Sequence, residues 1–524
     1  MEIPQRLGKI KDLEIRFNKA FQDFSKWEDI LDDAYEYYLP NRNLFEREDK
    51  GQKKMDKIFD STSLEAIQSG ASKLQESIAP IWSRWANFEP SEQTLRLLEQ
   101  QQDIDEKSVK ENLEKQAAIV FDYINRSNFG TQFYEMALDL LIGTGSLMID
   151  EAESNEMPIS FSSIPQVGVS FEEGPFGSIE THWRKVCIKA RNLTRKYPNF
   201  EPSSQVSEII KNNPDSDVKL KEGTIFEPKE GVYYGVVWVD GEDRASWVEN
   251  FGNSSPWVTG RYAKTAGEIR GRGPAIQALP DVRSLNKAKE FVLQKAAIDL
   301  AGMWTATDDG VTNPYNLTIA PGVVIPVGSN NSSNPSIQRL DTATNLQLAQ
   351  FEIVELQTAI KKAFFQDLRE PSDSVISATQ FAIEARELAK RIGSAFGRLQ
   401  TEVLIPILKR VTHILVRRGL IEPIEIGGEL VTIKFTSPLA KSQDAEDLTA
   451  IQQAVEFTLN TAGPDQAKMA FKLEDFGTYA GGKTGMPQEL IRSDQEKAKI
   501  IQAGAQAAQA GQQVQQGAPT SELG

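Results

Sequence analysis

Cysteine is almost absent from this sequence: Cys187 is the single one in 524 residues. No internal disulfide can form, so a reducing compartment is expected and the fold must rest on packing and hydrogen bonds. The lone thiol is expected to be a small buried side chain rather than a reactive group. Histidine is nearly as scarce, and His182 and His413 are too few for a His-rich metal site. His413 has no acidic or sulfur partner within reach by spacing and reads as structural. No run of about eighteen apolar residues occurs, so no membrane-spanning helix is expected. The opening stretch MEIPQRLGKIKDLE is charged and lacks the apolar segment of a secretory signal, which points to a soluble protein made in the cytoplasm. No paired carboxylates at a strand end, nucleophile elbow or Cys/His cluster stands out. Neither enzyme chemistry nor a cofactor nor a metal is therefore expected.

Basic residues are also in deficit, 58 against 74 acids, which leaves a net charge of −16. That argues against a protein gripping phosphates over its whole surface. It leaves room for one that lets nucleic acid slide past an acidic wall. With 40% hydrophobic residues and this length, the chain can bury two or three cores.

Hydrophobic spacing organises the chain. Residues 3–39 read as helix, with Ile10, Leu13, Phe17, Phe21 and Phe24 three or four apart. A second helix is predicted from Ser61 to Ala79, and further helices over 107–127 and 129–142. Trp82 and Trp85 read as core anchors. Gly143-x-Gly145 follows a helix and lacks a third glycine, so it is not read as a dinucleotide loop. From 146 to 260 the pattern turns β-rich. SPWVTGRYAKTAGEIRGRGP then reads as a solvated loop; its Arg261, Lys264, Arg270 and Arg272 could otherwise meet phosphate. A long helix is predicted from Thr379 to Arg418, its buried face marked by Ala385, Leu388, Ile392, Ala395, Leu399 and Val403. Pro406 should kink it near Glu402, and Gly419 should cap it. VTIKFTSP reads as a strand, and 441–461 and 487–503 as helices. The end is Gln-, Ala- and Gly-rich and reads as a flexible tail.

Gly477 to Thr484 fits the P-loop pattern G-x-x-x-x-G-K-[ST] letter for letter. A P-loop needs an apolar strand before it and a helix starting at its lysine, so that backbone N–H groups converge on phosphate. Here the preceding MAFKLEDF is charged, and Gly485 and Pro487 break the helical pattern just after the threonine. A turn between helices is the expectation, and a nucleotide-driven motor is a minor alternative.

The centre of the sequence is Pro274 to Phe365, which reads as helix, non-helical module, helix. Leu346, Ala349, Ile353, Leu356, Ile360 and Ala363 form one apolar seam on the second arm. Leu285, Ala288, Val292 and Ala296 form another on the first, beside a polar stripe of Arg283, Lys287, Glu290 and Gln294. The part between the arms is rich in Gly, Pro, Asn and β-branched residues, so turns and short strands are expected there. An αα-hairpin with a long surface loop is one reading. A pair of stem helices carrying a small module is the other.

Several segments in order decide between them: YYLPNR at 37–42, FDSTSLEAIQSGASKLQESIAPIWSRW at 59–85, FYEMALDLLIGTGSLMID at 133–150, GRGPAIQALPDVRSLNKAKE at 271–290, SATQFAIEARE at 377–387, EVLIPILKRVTHILVRRG at 402–419 and GMPQELIRSDQE at 485–496. Together they resemble the portal, or head-to-tail connector, of short-tailed bacteriophages. The resemblance implies an α+β, mainly helical portal fold with wing, stem, clip and crown regions. Mapped onto this chain, the wing would take 1–273, stem helices 274–303 and 345–366, and the clip 304–344. A tunnel loop would take 367–379, more wing 380–440, the crown 441–503 and a flexible tail 504–524. It further implies a homo-oligomeric ring of about twelve subunits at the capsid vertex of the virion. Its net charge would be roughly −190. Double-stranded DNA would pass through the ring in packaging and ejection, without sequence specificity. Implied partners are the large terminase, a tail adaptor, and the major capsid and scaffolding proteins. A virion scaffold or adaptor without a channel is the alternative. Candidates to face DNA are Lys287, Lys289, Lys295, Lys361, Lys362, Arg369, Ser372, Asp373 and Ser374. Docking candidates in the clip are Asp309, Tyr315, Val323, Val324 and Ile325.

Overall fold

Helices form where apolar residues recur at helical spacing, and the strands occupy the β-branched and aromatic middle of the sequence. The computed structural model describes residues 3–42, 57–91, 106–301, 304–306, 337–339, 346–366, 393–422 and 431–484, apart from 82, 155 and 437, with a few isolated positions besides. They fall into two units. One comprises Met1–Lys26, Ala71–Gly273 and Pro371–Gly524; the other comprises Trp27–Gly70 and Pro274–Glu370.

The first unit mixes helix and sheet. Strand β1 (Ala86–Pro90) pairs antiparallel with the distant β12 (Val431–Phe435). A three-stranded antiparallel sheet has the order β3-β2-β9, where β2 is Thr144–Glu151, β3 Ile159–Ile164 and β9 Trp257–Arg261. A five-stranded antiparallel sheet runs β4-β5-β6-β7-β8 through Val169–Glu173, Ile179–Lys189, Asp217–Glu227, Val232–Val239 and Trp247–Asn250. The helix opening at Ile10 lays Leu13 and Phe17 on that sheet. Phe17 meets Trp183 and Trp238 edge-on at 5.9 and 5.8 Å, the geometry that the ring quadrupoles favour. Trp85 is wholly buried, with Phe121 at 5.0 Å and edge-on.

Helices Glu106–Arg126 and Phe129–Ile142 lie close to their expected bounds. Gly143 and Gly145 follow the second of these because the backbone there is too crowded for side chains. A Cβ on Gly143 would stand 2.2 Å from the Gly271 carbonyl oxygen, and one on Gly145 2.6 Å from that of Met136. These glycines serve close packing, not phosphate binding.

Three expectations need correcting. Cys187 is exposed, on an outward position of β5. The supposed solvated loop begins as β9, and Arg261 and Arg270 are buried in it at 2% and 3% exposure. Gly477 to Thr484 lies inside a helix, Leu473–Thr484, rather than in a turn. Consecutive amides inside a helix bond to carbonyls one turn back and do not converge on an outside anion. Lys483→Ala should therefore leave nucleotide binding unchanged at its background level in calorimetric titration. Loss of a measurable ATP affinity on that change would contradict the assignment.

Around Pro406 the helical path is Ser394–Leu399, then a π-helical turn Gln400–Leu404, then Ile405–Arg417. Proline has no N–H and its ring displaces the carbonyl four residues earlier, that of Glu402. A wider turn just before the proline accommodates that displaced carbonyl. Ala395, Leu399 and Val403 are buried as expected. Ala385, Leu388 and Ile392 lie outside the described residues, as do the structures of the predicted 487–503 helix and the tail. No helix of the described residues is long and apolar enough to cross a membrane, and none of their side chains form a group suited to a metal ion.

Candidate functional site

The second unit is built on two helices, Pro274–Ala301 and Leu346–Ala363. Beyond them β10 (Trp304–Ala306) pairs antiparallel with β11 (Ile337–Arg339), so the intervening module is closed at its base by a two-stranded ladder. Two contact points fix how the arms run. Tyr38 stands beside Asp281 of the first arm and meets the Phe364 ring, just past the second, at 5.4 Å in a tilted arrangement. Asp60 meets Lys289 at 3.8 Å and Gln357 at 2.8 Å. Positions near 281 thus lie level with 364, and those near 288 with 357, so the arms are antiparallel. Burial raises the Tyr38 hydroxyl above its ordinary pKa, with Asp281 adding to the shift.

Asp60 is the polar anchor of this unit. Asn286 Oδ1 accepts from the backbone N–H groups of Phe59 and Asp60 at 2.8 and 3.1 Å. Asp60 in turn accepts from the Thr62 amide at 2.9 Å, at the start of helix Thr62–Ile78. Burial alone would raise its pKa. Hydrogen bonds from Thr62 and Gln357 and the Lys289 charge outweigh that and hold it below the ordinary value. A depressed carboxylate stabilises the fold above its unfolded pKa, and this contribution fades as pH falls through the carboxylate range. Asp60→Ala should cost about 1–3 kcal/mol, the usual penalty for stranding buried donors. Faster hydrogen exchange confined to residues 274–301 and 346–363 would report it; unchanged protection there would refute the anchor.

The five candidate lysines separate into two kinds. Lys287 is exposed, but its ammonium contacts Glu290 at 2.8 Å and lies 4.8 Å over the Phe291 ring. Lys289 is held at Asp60, and half-buried Lys295 is already engaged. Lys361 and Lys362 are exposed in the last turn of the second arm, where cations complement the helix dipole. The antiparallel register places them level with Arg283, which pairs with Asp33, and close to Lys287. Arg369, Ser372, Asp373 and Ser374 lie outside the described residues, as do Asp309, Tyr315, Val323, Val324 and Ile325.

The apolar seams are only partly covered. Leu285, Ile353 and Ile360 are buried, whereas Ala296 is exposed. The side chains of Leu346 and Ala349 are outside the described set. Sequence reasoning missed four large apolar side chains off the seams: Phe291, Leu293, Phe351 and Val354 are 56%, 53%, 69% and 59% exposed. Their signal was present as hydrophobic residues that fall on neither predicted seam.

In the first unit Arg261 and Arg270 face inward. Arg261 satisfies its whole guanidinium: Glu402 at 2.6 Å, Glu173 at 3.0 Å, and the carbonyls of Gly177 and Ile269 at 2.8 and 3.3 Å. Its backbone N–H also donates to Glu402 at 3.0 Å. Burial would lower the Arg261 pKa, but Glu402 and Glu173 outweigh it and raise it. Lys264 pairs with Glu173, and Arg272 with Glu268 at 2.7 Å. Arg270 is clasped between the Phe24 and Phe171 rings at 4.2 and 4.7 Å. Arg261, Lys264 and Arg270 tie distant parts of the unit together and Arg272 is paired locally, so a phosphate-contact role has no support in their geometry. His182 is likewise structural: burial pushes its pKa down to about 3, and it stacks on Trp257 at 5.1 Å.

Residues 11–491 match the family of bacteriophage head to tail connecting proteins. The chain belongs to that family. It is similar to a probable portal protein of Bordetella phage BPP-1, 22% identical with 95% of this chain and 91% of that one covered. It is also similar to the portal protein of Enterobacteria phage T3, 20% identical over 94% of this chain and 90% of that one. Among solved structures it is similar to a chain of the virion of a native gene transfer agent particle, at 12% identity and a TM-score of 0.31, covering 79% of this chain and 91% of that one. A TM-score that low carries no argument about the fold.

Proposed function

We propose that this chain is one subunit of a closed ring at a virion vertex, through whose axis double-stranded DNA is packaged and ejected. In this reading the two long arms surround the channel. The module at 304–344 docks the large terminase and later the tail adaptor. The outer part of the ring meets the major capsid and scaffolding proteins. About twelve copies is the expected number for such a ring.

The observation that carries the reading is that Phe291, Leu293, Phe351 and Val354 of the hairpin stand exposed, in a chain of the head-to-tail connecting family. Four large apolar groups on one pair of helices call for a partner surface, and neighbouring copies supply one repeatedly. The charge balance fits as well. A net −16 per chain keeps a DNA backbone from adhering, while Lys361 and Lys362 offer brief contacts. Phage heads assembled with this chain should protect DNA from nuclease, and heads assembled without it should protect none. Replacing Asp309 to Ser336 by a short Gly-Ser linker should leave rings intact and abolish capture of terminase and adaptor. Unchanged capture would move docking elsewhere on the chain.

A further inference from the structure

We propose that the cavity lined by Arg410 binds a ligand carrying a single carboxylate, held by the Arg410 guanidinium, at a site that does not depend on ring formation. The cavity has a volume of about 900 Å³ and lies within the first unit, lined by residues of β2, β8 and the helix Ile405–Arg417. Arg410 is 2% exposed. Its Nε donates to the Ile149 carbonyl at 3.4 Å, and its Nη1 to the carbonyl and hydroxyl of Ser254 at 3.3 and 3.4 Å. All of these bonds are long. The guanidinium carbon stands 5.2 Å over the Phe251 ring. Nη2 has no acceptor among the described residues, and it is not sealed from solvent.

The other cations around the cavity are already committed. Arg195 pairs with Glu153 at 2.9 Å, Lys196 with Asp150, and Arg418 with Glu151 at 2.6 Å. Arg417 pairs with Glu151 and stands 3.6 Å from Glu249. The buried Glu222 accepts from the Tyr197 hydroxyl at 3.3 Å and faces Arg184 at 3.8 Å. Of the cations lining the cavity, Arg410 is the one with no carboxylate at ion-pair distance among the described residues. Burial pushes its pKa down to about 10, and the more distant charges of Asp150 and Glu249 offset only part of that penalty. A buried guanidinium without a counter-ion costs stability. One that borders open space with a spare edge is suited to an anion arriving from outside.

The surroundings narrow the class of anion. A carboxylate is planar and singly charged, and it fits the guanidinium fork with one oxygen on Nη2 and the other on Nη1. A phosphate dianion or a nucleotide would bring more negative charge toward Asp150 and Glu249, whose fields already reach Arg410. The cavity is far larger than one carboxylate, so the body of the ligand enters with it. Two sources share this chemistry: a free organic acid and an acidic side chain of a protein.

The test is thermal unfolding of the full chain in propionate and in chloride, at equal ionic strength and near-neutral pH. Propionate should raise the midpoint by at least about 1 °C over chloride, and the rise should grow with the logarithm of its concentration, as for any ligand of the folded state. Arg410→Met should lose this rise. Ser254→Asp should lose it too, because it places a carboxylate of the chain itself beside the guanidinium. That second variant keeps Arg410, so it decides the matter if Arg410→Met fails to fold. No rise in the parent would overturn the site. Equal rises in the parent and Ser254→Asp would overturn it as well, since salts act on the whole surface. So would a rise with inorganic phosphate that exceeds the propionate rise and disappears in Ser254→Asp, which would assign the cavity to phosphate. N-acetyl-aspartate amide separates the two sources: a larger rise than with propionate identifies a protein side chain, and an equal or smaller one a free organic acid.

Discussion

Replacing Arg261 by methionine should destabilise the first unit by about 3–5 kcal/mol, the usual consequence of removing one member of a buried charge network. The side chain is 2% exposed, and its removal strands Glu402 and Glu173, whose side chains are only 19% and 23% exposed. Four parts of the unit lose their common tie at once: β9, the turn after β4, the Ile269 carbonyl and the π-helical turn Gln400–Leu404. Denaturant unfolding should show a lower midpoint. Glu402→Gln should cost less, because an amide still accepts hydrogen bonds from Arg261. Acid should act in the same direction. Burial opposes ionisation of Glu173, but its bonds to Lys264 and Arg261 prevail and hold its pKa below the ordinary value. Its contribution is therefore present at neutral pH and is lost as pH drops through the carboxylate range. A methionine variant as stable as the parent would show that the network contributes nothing net.

The second large effect is on assembly. Phe291→Asp together with Phe351→Asp should convert rings to monomers at micromolar concentration. Both side chains are more than half exposed in the single chain, so neither change disturbs its interior. In a ring each would be buried, at a gain of about 1.5–3 kcal/mol per side chain. An aspartate there forfeits that gain and adds the cost of desolvating a charge. The loss recurs at every subunit contact. Sedimentation of the double variant beside the parent decides the matter: identical distributions would show that this face is not an interface.

Helices were the legible part of the chain. Spacing at three and four residues located Glu106–Arg126 and Phe129–Ile142, because that pattern and the helix share one period. Pro406 pointed to the irregular turn before it, a purely local consequence of its ring. The inward arginines were not legible. RYAKTAGEIRGRG is rich in glycine and charge, which reads as solvated loop, and the partner that buries Arg261 lies 141 residues away at Glu402. The helix across Gly477 to Thr484 was hidden by three glycines that favour turns. Lys289 illustrates the limit at the candidate site. Its position on a polar stripe suggested availability, but Asp60, far off in sequence, already holds it. Phe291 and Phe351 were visible as apolar residues, yet a single chain cannot tell a core residue from one awaiting another copy.

Whether copies of this chain close around a channel is read most directly by electron microscopy of the purified protein, with native mass on the same sample. Closed rings of about twelve subunits with an axial opening wide enough for duplex DNA are the expected result. A monodisperse monomer, with no rings in any micrograph, would contradict the account.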